Sequence, residues 1–387
     1  MTKFENIIIT EHKINKTKEL DKILALMEKI GVENPISLLP SGSWHEVSFD
    51  IKESHAGFAH GLYRVLIDEL SVICAVVEEE NITSDDKFVM DSMYQLLKNI
   101  NLIPVRQSLT DDELKNYTIQ LNKYNNTDDV IDIKASDFVV LNKSESKKKK
   151  GSSELKKKKG SSEYNELKSD IDIKEIFPEP NTLIIRLRPG HYINIKNLSF
   201  ERGYQKDDAA KFSLLNNIKY RPVDIIPYNI FAKHGEEKGT RSIEYDCKEF
   251  HIEFSTCGNI EPLAVIELLT DKLIKDLTNI KNKVVKYAES KEMKKVYNDE
   301  GIEIAVENGM YRYKFYDHYL TMMNMISQRC YMLDPSISYC IGAVERFDNE
   351  VGLLKLIHGD PNKLIINAID SCMRDLNNLL NSFKKKD

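Results

Sequence analysis

The stretch LAVIELLTDKLIKDLTNIKNKVVKY, residues 263–287, has the most regular apolar pattern in this chain. Two sets of positions at heptad intervals run through it. The first set is Ile266, Leu273, Ile280 and Tyr287, and the second is Leu263, Thr270, Leu277 and Val284. Thr270 is the single polar member. Heptad spacing predicts a long helix that presents an apolar seam to a neighbour.

A second heptad stretch, PNKLIINAIDSCMRDLNNLLNSF, covers residues 361–383. Its two apolar sets are Ile365, Cys372 and Leu379, and Ile369, Leu376 and Phe383. Asp360 followed by Pro361 predicts the start of the helix, because proline fits the first helical position. The two heptad helices could pack along each other, or each could cover a sheet. The pattern alone leaves both arrangements open.

Strands and a shorter helix precede each heptad stretch, which predicts an α+β chain with two halves in tandem. In the first half, residues 44–51 alternate as a strand, and residues 70–77 are predicted to form a buried strand. Between them, a helical stripe contains Phe58, Leu62, Val65, Leu66 and Leu70. Further strands are predicted over residues 182–187, 191–195 and 250–254, with a turn at 188–190. In the second half we expect strands over residues 311–316, 337–344 and 351–357 and a helix over 319–330.

The composition is that of a globular protein with room for two or three domains. The chain has 387 residues, 41% of them hydrophobic, and a net charge of −6 from 55 basic and 61 acidic residues. It therefore lacks the global positive field of nonspecific nucleic-acid binders. The longest apolar run, residues 72–77, is far shorter than the roughly 20 residues that span a membrane. With no signal-peptide pattern, we expect a soluble intracellular protein that binds no membrane.

A lysine-rich repeat interrupts the first half. Residues 147–155 read KKKKGSSEL and residues 156–163 read KKKKGSSE. The surrounding segment, residues 143–163, is too charged and too poor in apolar side chains to fold, so we predict a disordered loop. A nuclear-import signal or a basic tether for nucleic acid is the alternative, although no aromatic residues are interleaved with the lysines.

No residue pattern predicts a catalytic centre or a metal site. Asp170 with Asp172, and Asp207 with Asp208, are interpreted as surface acids. Asp317 and His318 are adjacent on a predicted helix and so point apart, which favours a structural histidine. The six cysteines form no C-x-x-C pair and are interpreted as reduced core thiols. We find no phosphate-binding glycine loop and expect no cofactor.

Several motifs, taken in their order along the chain, resemble two subunits of eukaryotic RNA polymerase II. The second half carries Asp317-His318-Tyr319-Leu320-Thr321, Asn324 and Asp334-Pro335, which are similar to the signature of the eleventh subunit. The first half resembles the third subunit. The matching residues there are Leu62, Arg64, Val65, Leu66, Glu69-Leu70, Asn81, Thr83-Ser84, Leu102-Ile103-Pro104-Val105, Leu187-Arg188-Pro189-Gly190 and Ala210-Lys211-Phe212-Ser213.

The resemblance implies two dimerisation domains related to the bacterial α subunit, fused in one chain and paired as an intramolecular heterodimer. The implied domain order is a first part of the third-subunit-like domain over residues 1–105 and an inserted β-rich domain over 106–230. The second part of that domain follows over 231–287, then a charged linker over 288–309 and an eleventh-subunit-like domain over 310–387. A linker raises the effective concentration of one half for the other.

The resemblance also implies the function. It is that of a noncatalytic platform on which the two large catalytic subunits of a DNA-directed RNA polymerase and small polymerase subunits assemble, with DNA and RNA contacted only through the complex. The fusion of the two subunits in one chain and the lysine-serine repeat resemble features of the polymerases of giant DNA viruses. This resemblance implies a location in the virion and the host cytoplasm. A stand-alone coiled-coil interaction protein is the alternative, and a hydrolase is a more distant one. The predicted interface residues are Leu62, Arg64, Leu66, Ile266, Leu273, Leu277, Ile280, Asp317, His318, Leu320, Ile369, Leu376 and Phe383.

Overall fold

The structure of the chain is a computed structural model. It describes residues 2–12, 18–31, 44–142, 172–208, 211–223, 247–256, 258–289, 296–299, 301–316, 320–345 and 351–386. The helices of this part are α1 (Lys18–Lys29), α2 (Ala56–Arg64), α3 (Lys87–Asp91), α4 (Met93–Asn101), α5 (Asp111–Asn116), α6 (Pro262–Glu289), α7 (Leu320–Leu333) and α8 (Pro361–Lys384). The strands are β1 (Lys3–His12), β2 (Trp44–Lys52), β3 (Ser71–Val76), β4 (Ile82–Ser84), β5 (Tyr117–Tyr124), β6 (Ile131–Lys134), β7 (Val139–Asn142), β8 (Leu183–Leu187), β9 (Tyr192–Tyr204), β10 (Leu215–Pro222), β11 (Phe250–Thr256), β12 (Val296–Asp299), β13 (Ile302–Glu307), β14 (Met310–Phe315), β15 (Tyr339–Glu345) and β16 (Val351–Ile357).

The sheet of the first half has the strand order β1-β2-β11-β10, and all its neighbours are antiparallel. The register of this sheet places the apolar residues of the two central strands, β2 and β11, opposite each other. Phe254 pairs with Val47, and Ile252 pairs with Phe49. All four side chains are buried, because the two-residue period places them on the one face that meets the core.

The sheet of the second half has the order β12-β13-β14-β16-β15. Leaving aside the edge strand β12, it repeats the connectivity of the first half. With α1 and the segment between α2 and β10 also set aside, each half runs through two strands, a short helix, two strands and a long helix. In each sheet the fourth of these strands lies between the second and the third. The short helices of this repeat are α2 and α7, and the long ones are α6 and α8.

A second hydrophobic core is formed by residues of the first half that follow α2 and precede β10 in the chain. It is built on the sheet β3-β9-β5-β7, on β4, which also pairs with β9, and on the pair β6-β8. Strand β3 serves both cores. Val72 and Cys74 face the main core, whereas Ile73 and Ala75 face the inserted one. Because both faces are covered, the strand is apolar without alternation, as the sequence indicated.

Most predicted elements are present, and the α+β class is confirmed for the described residues. The heptad stretches form α6 and α8, and Asp360 caps α8 by accepting a hydrogen bond from the Lys363 N–H at 3.1 Å. The predicted turn before β9 contains Gly190 with φ of +75°. The helical stripe of the first half covers α2 and the π-helical turn that follows it, Val65–Glu69, and Leu70 comes directly after that turn.

Two predicted boundaries differ from the structure. The linker predicted over residues 288–309 contains β12 and β13, which pair in the second sheet. The charged residues around position 291 led to the linker interpretation, although Ile302 and Ile304 alternate as strand residues and are buried. The inserted core starts at β3 rather than at residue 106 and ends before β10, which pairs with β11. The lysine-rich segment lies outside the described residues.

Candidate functional site between the two halves of the chain

The two long helices pack along each other, and this contact joins the halves. The Lys281 ammonium on α6 lies 2.6 Å from an Asp370 carboxylate oxygen on α8, and Lys384 on α8 lies 3.1 Å from Glu267 on α6. The two pairs are separated by the same number of residues on each helix. The helices are therefore antiparallel and keep one register over this length.

The apolar seams of these helices are buried in a core that spans both halves. The predicted seam residues that are fully buried are Ile266, Leu273, Leu277, Ile280, Val284, Ile365, Ile369, Cys372, Leu376 and Leu379. Thr270 is also buried, and its hydroxyl donates to the Ile266 carbonyl at 2.8 Å. That bond satisfies the one polar group in the seam. At the end of α8, Phe383 meets Phe49 of the first sheet edge to face, with ring centroids 5.5 Å apart.

The remaining predicted interface residues divide into three groups. Leu62 and Leu66 are buried in the shared core, as expected of a helix stripe. Arg64 instead points away from the core, half-exposed, and forms an ion pair with Asp68 at 2.8 Å. Asp317 and His318 lie outside the described residues, as does the side chain of Leu320, the first residue of α7.

The two short helices, α2 and α7, form the second contact between the halves. The N–H of Gly57 donates to the Gln328 side-chain oxygen at 2.6 Å. At the end of the π-helical turn that follows α2, Glu69 accepts a hydrogen bond from the Thr321 hydroxyl at 2.9 Å. Sequence reasoning missed Gly57 and its neighbour Gly61. Two glycines one helical turn apart, at the start of the predicted helical stripe, were the available signal.

A buried polar cluster lies beside the short helices and was not predicted. Arg329 of α7 donates to Asp375 of α8 at 2.6 Å, and the two side chains are 4% and 2% exposed. Thr2, which precedes β1, donates from its hydroxyl to the same carboxylate at 2.5 Å. The Arg329 guanidinium also lies over the Phe58 ring of α2, 5.7 Å from its centroid. The first half therefore supplies a hydroxyl and an aromatic face to an ion pair of the second.

His55 caps α2 within this cluster. Its Nδ1 accepts a hydrogen bond from the Phe58 N–H at 3.1 Å, so this nitrogen carries no proton. Burial, followed by the positive charge of Arg329, lowers the pKa of His55 to about 3. The imidazole is therefore neutral at the contact between the halves.

A further ion pair, with only its carboxylate buried, lies in the segment between α2 and β10. Asp86 is fully buried and holds the Arg188 guanidinium at 2.5 Å. It also accepts hydrogen bonds from the backbone N–H groups of Arg188 and Phe88. Burial alone would raise the pKa of Asp86, but the hydrogen bonds from Arg188 and Phe88 outweigh it and lower the pKa to about 2. Arg188 belongs to one of the motifs of the first half.

The structure locates most of the acids and cysteines that the sequence analysis considered. Within these ranges, no three His, Cys, Asp or Glu side chains lie close enough together to hold a metal ion. Asp172 caps a turn by accepting from the Lys174 N–H at 3.0 Å, and Asp207 and Asp208 are exposed after β9. The five described cysteines are buried, and Cys74, Cys330, Cys340 and Cys372 are free thiols. Burial raises the pKa of Cys74 and Cys372 to about 12, so these thiols stay protonated at neutral pH.

Comparison with models of known protein families gave no match, and no curated protein matches the chain. The resemblance to polymerase subunits therefore rests on the motif residues and on their positions. None of the described helices is long and apolar enough to cross a membrane.

Proposed function

We propose that this chain is a noncatalytic assembly-platform subunit of a DNA-directed RNA polymerase, built as an intramolecular heterodimer of two dimerisation domains. The observation that carries the proposal is the repeated connectivity of the two halves, together with the pairing of their corresponding helices. The resemblance implies that arrangement. It is also what two related subunits fused in one chain would produce.

The motifs of the two halves meet at the contact between them, which supports the proposal. Thr321 belongs to the eleventh-subunit-like motif and Glu69 to the third-subunit-like motif, and the two side chains are hydrogen-bonded at 2.9 Å. Asn324 of the former motif lies against Gly57 of α2. Motif residues from two distant segments of the chain are therefore neighbours in one interface.

The partners proposed for the platform follow from the resemblance. They are the two large catalytic subunits and small polymerase subunits, with DNA and RNA contacted only through the complex. The proposed location is the virion and host cytoplasm of a giant DNA virus. No cofactor is assigned, because nucleotide transfer is proposed to take place in the large subunits.

Purification of the tagged chain from the organism that encodes it tests this function. We expect two large polypeptides to co-purify with the chain, each in an amount equal to that of the chain. The resulting complex should make RNA on a DNA template. The separated chain should make none. Leu376→Asp places an unpaired charge in the buried seam and should remove both large polypeptides. Tyr94→Ala, at an exposed position outside the motifs, should keep them.

The outcomes separate the proposed function from its alternatives. A chain that carries no large polypeptides and forms only dimers of itself would point to a stand-alone interaction protein. RNA synthesis or hydrolysis by the chain alone, after removal of every other protein, would refute the platform role.

A further inference from the structure

The contact between the short helices depends on a notch in α2. We define the notch by Gly57 and Gly61, which both face α7. A Cβ atom added to Gly57 would lie 2.6 Å from the Asn324 carbonyl oxygen, and one added to Gly61 would lie 2.5 Å from Met325 Cε. Cβ atoms essentially never come this close to other atoms in proteins. The helices therefore reach their present distance because neither residue places a side chain between them.

The two glycines differ in what they face. Gly57 lies against the backbone of α7, which can move only if the whole helix moves. Gly61 lies against the terminal methyl group of Met325, which can rotate away. Gly57 is consequently the stricter requirement, and Gly61 offers a matched control on the same face of the same helix.

The notch has no counterpart in the second half. Helix α7, LTMMNMISQRCYML, contains no glycine. If two second halves paired through this surface, α7 would meet α7 with bulky side chains on both sides. If two first halves paired, notch would meet notch, and the close packing that Asn324 and Met325 provide would be lost.

The buried polar cluster is divided between the halves in the same complementary way. The second half contributes the Arg329–Asp375 ion pair, and the first half contributes the Thr2 hydroxyl and the Phe58 ring. The neutral His55 cap adds no second positive charge beside Arg329. Two second halves would bury their ion pairs without these partners, which is costly for a desolvated charge.

We propose that Gly57 and the Thr2–Arg329–Asp375 cluster are the recognition elements that make each first half accept a second half and reject a copy of itself. This selectivity rests on contacts between the two halves and not on what binds the assembled chain. The purification experiment can therefore refute the platform function while the selectivity between halves holds. Equally, the selectivity can be refuted while the platform function holds.

A nicked full-length protein tests the selectivity. A protease site inserted into residues 290–295, which connect α6 to β12, allows the folded chain to be cut between its halves. Cut protein in unlabelled and ¹⁵N-labelled forms is mixed, unfolded in urea, refolded and weighed by native mass spectrometry. We expect only one-to-one pairs of a first with a second half, in all isotopic combinations and equal amounts. Pairs of like halves, or halves that do not re-form pairs, would overturn the proposal.

Substitutions in the uncut chain test the role of Gly57 separately. Gly57→Ala should accelerate hydrogen exchange of the α2 and α7 amides by about tenfold to a hundredfold, whereas Gly61→Ala should stay within about threefold of the original chain. If Gly57→Ala does not fold, Gln328→Ala removes the acceptor of the Gly57 N–H without adding atoms and should accelerate exchange by about threefold to tenfold. Equal effects of the two alanines, or no effect of Gln328→Ala, would show that the α2–α7 contact does not depend on Gly57 and would remove Gly57 from the proposal.

Discussion

Replacing His55 with asparagine should make the contact between the halves less sensitive to acid. His55 is neutral in the folded chain because burial and then the charge of Arg329 lower its pKa to about 3. In the unfolded chain its pKa returns to about 6.5. Between these values the unfolded chain binds a proton that the folded chain does not, so the free energy of unfolding falls as the pH falls. Asparagine is also a good N-cap, so the substitution keeps the cap and removes the titration.

The magnitude follows from the two pKa values. Each pH unit between them changes the free energy of unfolding by about 1.4 kcal/mol. At about pH 4.5, two units below the unfolded pKa, the His55 contribution amounts to roughly 2–3 kcal/mol of lost stability. The effect is fully absent above about pH 7.5, where neither state is protonated.

The assay compares the two proteins rather than two pH values alone, because many carboxylates also titrate in acid. Urea unfolding followed by circular dichroism, at about pH 7.5 and about pH 4.5, gives the loss of stability for each protein. We expect the original chain to lose roughly 2–3 kcal/mol more than His55→Asn. Hydrogen exchange in α2 and α7 should show the same difference locally. Equal losses in the two proteins would refute the assignment of a neutral, buried His55.

Two further predictions concern the seam and the inserted domain. Leu376→Ala and Leu277→Ala should each lower the free energy of unfolding by about 2–5 kcal/mol, because both side chains are fully buried, whereas Leu102→Ala, at a half-exposed position, should change it by about 0.5 kcal/mol or less. Similar urea midpoints for all three variants would contradict the buried seam. Asp86→Asn should cost about 1–2 kcal/mol at neutral pH, a figure reduced because its partner Arg188 is half-exposed. Since the pKa of Asp86 is lowered to about 2, this difference is present above about pH 4 and should shrink as the pH falls towards 2. A difference that persists unchanged at low pH would exclude the ion pair as its cause.

The sequence predicted the elements whose pattern is set by a buried face. The apolar residues of α6 and α8 repeat at the helical period, and those of β2 and β11 repeat at the strand period. These four elements could therefore be predicted from the spacing of their apolar residues. The helix stripe through Leu62 and Leu66 was found for the same reason. The strand at residues 302–307 was missed because a charged stretch directly before it dominated the interpretation, although its own alternation was present.

The candidate site was predictable only in part, because its decisive residues depend on what packs against them. A glycine in a helix has many possible reasons, and Gly57 acquires its role only when Asn324 of the other half lies over it. Thr2 and Asp375 are far apart in the chain, and no local pattern connects them. Arg64, by contrast, belonged to a motif and was expected at the interface, but helix periodicity turns it towards Asp68 and solvent.

Selectivity and stability of the pairing reside in different residues. The ion pairs that join α6 and α8, such as Lys281 with Asp370, are partly exposed, and pairs of this kind contribute about 0–1 kcal/mol. The apolar seams supply most of the stability, but apolar surfaces tolerate many partners. The Arg329–Asp375 pair is buried, so its attraction is offset by the loss of water, and its net stabilisation is small. Its hydrogen bond with Thr2 is available only when a first half is in place. The seams therefore hold the halves together, while the cluster and the notch favour the correct pair.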